Sequence, residues 1–182
     1  MTEERADELK WAVHYRVDKY DGPDADARAF ADVHALADAD DVIEGDGNLL
    51  TTAGLARITS LITAAGGQGV TATSARIGVG DSTTAAAVGD TDLGAGAGAT
   101  HRQFEIMSGG KPTTSNGVIT LQAVFPTGEA NFAWQEWGVD VGTPTVAAGT
   151  TVAALLLNHK VTSLGTKTSA SAWTFTVTIT LA

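Results

Sequence analysis

"WTFTVTITLA", residues 173–182, decides the fold class. Trp173, Phe175, Val177, Ile179 and Leu181 alternate with Thr174, Thr176, Thr178 and Thr180. Successive side chains of an extended strand point to opposite faces, so this pattern separates an aromatic-aliphatic face from a hydroxyl face. The first face is core. The second faces water or a neighbouring subunit.

The same period recurs upstream. In "GVITLQAVF" (117–125), Val118, Thr120, Gln122 and Val124 alternate with Ile119, Leu121, Ala123 and Phe125, and the "SNG" before it supplies turn chemistry. In "LKWAVHYRVDKY" (9–20), Trp11, Val13, Tyr15 and Val17 alternate with Lys10, Ala12, His14 and Arg16. "ARIGVG" (75–80), "NFAWQEWGVDV" (131–141) and "TVAALLLNHKVTSL" (151–164) read as further strands. Five or six strands punctuated by turns predict a mainly β chain: an antiparallel β-sandwich, jelly-roll-like, with one inserted α-helix and an acidic N-terminal extension. The expected division is 1–47, a strand plus an acidic segment packed on the main domain, and 48–182, the sandwich.

The helix is expected at about 51–65. Leu55, Ile58, Leu61 and Ile62 recur at helical spacing, Thr51 or Thr52 can cap the start, and Gly66-Gly67 supply a left-handed exit. Gly54 in its first turn is either a weakness or a point where another backbone comes close. Residues 21–41 form either an ordered loop or a short helix with Phe30, Val33 and Leu36 or Ala37 on one side. Residues 81–103 read as a long Gly-, Ala- and Thr-rich connection.

The chain carries a formal charge of −10, and residues 1–47 hold 14 of its 21 acidic residues. Binding to phosphate backbones draws on Lys and Arg, so nucleic acid is not an expected partner. No apolar run approaches the roughly 18 residues that span a bilayer, and the acidic start is unlike a secretory signal. Membrane insertion and export by that route are not expected. With no cysteine, disulfides and thiolate metal sites are excluded.

No motif announces catalysis, and no cofactor is expected. "GVGDSTTAA" lacks the Gly-Lys-Ser/Thr ending of a phosphate loop. His14, His34, His101 and His159 show no zinc-binding spacing. Asp38, Asp40, Asp41 and Glu44 offer hard oxygens to a cation, although the order of an EF-hand loop is missing. Glu129 and Glu136 are not tied by spacing into a glycosidase pair. No Gly-x-Ser-x-Gly elbow supports a serine nucleophile.

"ANFAWQEWGV" (130–139) holds two of the four tryptophans. Strict alternation puts Phe132, Trp134 and Glu136 on one face and Ala133, Gln135, Trp137 and Val139 on the other. Aromatics on both faces imply burial on both, by core, by another subunit or by a ligand. Trp11, Tyr15, Trp134 and Trp137 are the candidate subunit contacts, with the strand around Trp11 and Tyr15 expected as a sheet edge open to a neighbour.

Taken in order, "DVIEGDGNLLTTAGLARITSLITAAGG" (41–67), "ARIGVGDSTTAAAVGDTDL" (75–93), "ANFAWQEWGV" and "LLNHKVTSLGTKTSASAWTFTVTITL" (156–181) resemble a family of virion structural proteins from tailed bacteriophages. The resemblance covers residues 42–182. His159 stands where the family tends to carry a basic residue, and with the acidic N-terminal zone this is similar to a version from a haloarchaeal tailed virus. What it implies is a role in virus particles, and the leading expectation is a non-enzymatic, homo-oligomeric decoration, cement or turret subunit on the capsid exterior, binding the major capsid protein. A tail or baseplate component is the first alternative. A glycan-binding module presenting Trp134 or Trp137 to host surface sugars is the second.

Overall fold

A computed structural model describes residues 10–31, 39–142 and 155–182. Ten strands form two antiparallel sheets. In chain order these are β1 (Trp11–Asp21), β2 (Asp41–Asp46), β3 (Leu49–Leu50), β4 (Ala75–Gly80), β5 (Arg102–Ile106), β6 (Thr113–Ser115), β7 (Val118–Phe125), β8 (Ala133–Val141), β9 (Leu156–Thr166) and β10 (Ser171–Leu181). The first sheet is ordered β2-β1-β10-β7-β6 and the second β3-β9-β8-β4-β5. Their inner faces meet in one core, which makes the chain an antiparallel β-sandwich.

The opening strand behaves as its period demands. Phe175 and Val177 have no exposed surface and Ile179 has 1%. The hydroxyl face is only half wet: Thr176 accepts from Gln122 Nε2 at 3.1 Å, and Thr174 is buried and donates to the Ala29 carbonyl at 3.3 Å.

The N-terminal strand is not an edge. β1 pairs with β10 from Trp11↔Leu181 to Asp21↔Ser171 and with β2 along its other side. From His14 to Lys19 both rows of backbone groups are occupied, so that stretch, Tyr15 included, has no free row to offer a neighbouring chain. β2 holds the edge instead.

Among the described residues there are two helices, the expected one and a short one in the segment left open between helix and loop. The expected one, α2 (Thr52–Ile62), starts at Thr51, whose hydroxyl oxygen accepts from Gly54 N at 2.9 Å. Gly54 is a close-approach site: a Cβ there would lie 2.1 Å from the Leu157 carbonyl oxygen, so only glycine lets the helix sit on β9. The helix ends at Ile62, short of the glycines, and Ala64 (φ 54°) makes the first left-handed step.

The second, α1 (Ala25–Ala31), covers the outer face of the first sheet through Ala25 and Ala29, against Tyr20, Val124 and Ala172. Phe30, expected on the packed side, is 58% exposed. Val33, Leu36, Ala37 and His34 lie outside the described residues. Among the described residues no helix is long and apolar enough to cross a membrane.

Candidate functional site

The strand 131–141 departs from strict alternation, and this sets the chemistry. The β8–β9 register shifts between Trp134 and Glu136, where Trp134 faces Gly165 and Glu136 faces Val161. The irregularity turns both indoles to the same, inner face. Trp134 packs on Phe125, Trp173 and Phe175 with centroids 4.7, 4.6 and 6.3 Å away. Trp137 packs on Tyr15 and Phe175, each at 5.3 Å. Both tryptophans have no exposed surface and Tyr15 has 6%. The expectation of one indole on each face is corrected. Three of the four candidate contacts lie inside the chain's own core, and Trp11, partly buried, stands at its margin.

The face that Trp137 vacates carries Glu136, also with no exposed surface. A buried carboxylate must be paired or hydrogen-bonded, and this one is both. Its Oε1 accepts from Ala95 N at 2.7 Å and its Oε2 from Gly94 N at 2.9 Å. Oε2 also lies 2.7 Å from His159 Nε2, and His159 Nδ1 lies 2.6 Å from Asp90 Oδ2. Asp90 Oδ2 in turn accepts from Ala87 N at 2.8 Å. A line Glu136–His159–Asp90 thus runs from β8 through β9 into the connection after β4.

Burial works against the His159 imidazolium, but its bonds to Glu136 and Asp90 outweigh that cost and raise its pKa above the ordinary value. Burial likewise opposes Asp90 ionisation, and the Ala87 amide with His159 overcomes it, holding that carboxyl below the usual range. Both ring nitrogens are engaged by carboxylates, which leaves neither to activate a serine. Glu136 has no surface open to a substrate, so the pairing of Glu129 with Glu136 as glycosidase carboxylates does not form.

The connection 81–101 is therefore a fitted cover, not the loose link its composition suggests. Leu93 inserts between Phe104 and Leu156. Arg102 bonds Asp92 at 2.6 Å, His101 bonds Asp81 at 2.7 Å, and Thr52 N, at the start of α2, donates to the Val88 carbonyl at 2.7 Å. The glycines of "GVG" and "WGV" make room beneath it. A Cβ on Gly78 would fall 2.3 Å from the Phe104 ring, and one on Gly80 would fall 2.3 Å from Glu136 Oε1. The glycines that suggested a phosphate loop give space to a buried ring and a buried acid. Beside them Arg76 lies over the Phe104 ring at 4.7 Å and donates to Asp140.

The cation candidates have protein partners. Asp40 accepts from Arg28 Nη1 at 2.9 Å and from Asp21 N at 2.7 Å, and the Arg28 bond is the main reason its carboxyl is held below the usual range. Asp41 bonds Lys19 at 2.8 Å, with the same effect, and Glu44 reaches Arg16 at 3.4 Å. Asp38 lies outside the described residues. Among the described residues no three His, Asp or Glu side chains are arranged to hold a metal.

Sequence reasoning missed the Glu136–His159–Asp90 line because its members are far apart in the chain. One signal was available: an acid inside an apolar strand has to find partners.

One further surface stands apart. On α2, Leu55, Leu61 and Ile62 are 55%, 39% and 76% exposed. Leu61 and Ile62 line a groove of about 170 Å³ together with Trp11, Ile58, Val70, Ile119 and Ile179. The fold and these sites define an antiparallel β-sandwich with a pinned outer cover. No family model matches the sequence, no curated protein matches it and no solved structure matches the fold.

Proposed function

We propose that the chain is a structural protein of a virus particle: a homo-oligomeric subunit on the capsid exterior that binds the major capsid protein. The run of motifs over residues 42–182 supports this reading from the sequence. The observation that carries it is the apolar surface of α2 with its groove at Trp11. Contiguous exposed apolar area of this kind marks protein contacts in soluble chains. The subunit contact accordingly moves from Trp134 and Trp137 to Trp11, Leu61 and Ile62. Glycan stacking on Trp134 or Trp137 has no support, since neither indole offers a face to a sugar.

The mechanism is burial. A specific contact removes roughly 1,000 Å² or more of surface from water, and a closed ring repeats it around a symmetry axis. Two measurements test the reading. Light scattering at high salt should give an oligomer that Ile62→Asp converts to a monomer with unchanged near-ultraviolet circular dichroism; an intact oligomer would remove α2 from the contact. Antibody-gold labelling of particles should decorate the shell, and label confined to tails would move the protein to the tail or baseplate.

A further inference from the structure

We propose that the Glu136–His159–Asp90 line is a proton-operated latch that holds the 81–101 cover on the second sheet, closed while the imidazole carries both protons. Geometry carries this assignment. Each ring nitrogen lies within 2.7 Å of a carboxylate oxygen. A neutral imidazole has one N–H and one lone pair, so it would set that lone pair against an acid oxygen at hydrogen-bond distance. Only the imidazolium donates to both.

The charges around the ring agree. From β8 it meets Glu136 and from the cover Asp90, while its β3 partner in register is Leu49 and its β8 partner Gly138, neither titratable. Lys160, next along β9, donates to the Asp46 carbonyl at 2.8 Å, at the margin of β2. The other ion pairs of the cover, Asp92 with Arg102 and Asp81 with His101, are made within the segment and the start of β5 and do not reach β8 or β9.

Losing one proton from His159 would leave Asp90 or Glu136 facing a lone pair. Asp90 also holds Ala87 N, and Val88 follows with its bond to Thr52 N, so release at Asp90 passes to the start of α2. Glu136 keeps its two amide bonds, which makes Gly94 and Ala95 the last part of the cover to lift.

The direction follows from the folded pKa values. That of His159 is raised, so the latch is complete below the ordinary histidine value of 6.5 and is lost as pH rises through the raised one. Asp90 is lowered, so its contribution exists above the ordinary carboxylate range and is lost as pH falls through the lowered value. The cover is shut between these limits and opens on the alkaline side first at Asp90.

The test uses the whole chain, with imidazole nitrogen chemical shifts read by NMR and amide hydrogen exchange followed from residue 81 to 101. The expected result is a doubly protonated His159 at neutral pH. Once exchange is corrected for its intrinsic pH dependence, the Ala87 amide should lose about tenfold or more protection as the ring titrates. Asp90→Asn removes one charge but keeps the shape, and should move both the ring titration and the opening to lower pH together. Glu105 and Lys167 also titrate near pH 8, but neither belongs to the cover or to the Asp90→Asn shift. A neutral His159 at neutral pH, or Ala87 protection unchanged while the ring titrates, would overturn the latch.

Discussion

The acids of the two sheets stand in different settings. On the first sheet, acids on β2 stand in the open and reach cations on β1, although Arg16 also bonds the buried Asp18 and Lys19 lies over the Trp173 ring. Lys19–Asp41 and Arg16–Glu44 leave their acid side chains 62% and 56% exposed. On the second sheet, Glu136, His159, Asp140 and Arg76 lie under a cover, none more than 4% exposed. The residue types are the same, but the dielectric is not. An exposed pair is solvated with or without its partner, whereas a buried charge stripped of its partner has nowhere to turn.

That contrast is broken most directly at Asp140. Asp140→Ala should cost about 3–5 kcal/mol in urea unfolding, because Arg76 stays buried without its acid. Replacing both, with Arg76→Met and Asp140→Leu, should recover much of the loss. A double variant as unstable as the single one would mean that the pair, not the orphaned cation, sets the stability.

Next in size is the space under the cover. Gly80→Ala places a methyl against Glu136 and should cost about 1–3 kcal/mol. Alanine tolerated there without loss would show that the cover yields more readily than its bonds imply. On the open edge, Glu44→Ala should cost about 0–1 kcal/mol because Arg16 keeps Asp18, and salt should shrink that difference further. A salt-independent cost would place this pair with the buried ones.

A further effect is one of pH. Glu105, on β5, is raised to about 8, first by burial and then by the neighbouring Glu129 carboxylate. The folded state favours its protonated form, so this contribution is present below the ordinary value of 4.5 and is lost as pH rises toward 8. Glu105→Gln should flatten stability across that interval and make the chain relatively more stable above it. Equal slopes for variant and wild type would show that Glu105 ionises as freely in the fold as outside it.

Where local pattern determined structure, the sequence was readable. β10 and β7 alternate along their whole length, Thr51 was one of two candidate caps of α2, and close passage of another backbone was one of two readings of Gly54. Long-range partners were not readable. No spacing rule links Asp90, Glu136 and His159, and the strand 131–141 misled because its register shift depends on β9. The apolar period of α2 was real, and two of its members, Leu55 and Ile62, are exposed. Periodicity reports that a helix has an apolar side, not which molecule covers it. For α1 a short helix was one of two readings, and the side that packs is marked by Ala25 and Ala29 rather than by Phe30.

The pairing of β1 with β10 also bears on how the molecule is made. Trp11 finds Leu181 across almost the entire sequence, so the middle of the first sheet cannot close until β10 has been synthesised. Every strand of the second sheet precedes β10 in the chain. At roughly 5–20 residues per second of translation, that sheet has seconds in which to assemble while the aromatic face of β1 waits without its partner. Contacts this distant are slow to form. Pulse-labelled exchange should therefore find β4 and β8 protected before β1, and a nascent chain arrested ahead of β10 should need a chaperone to cover Tyr15 and Val17.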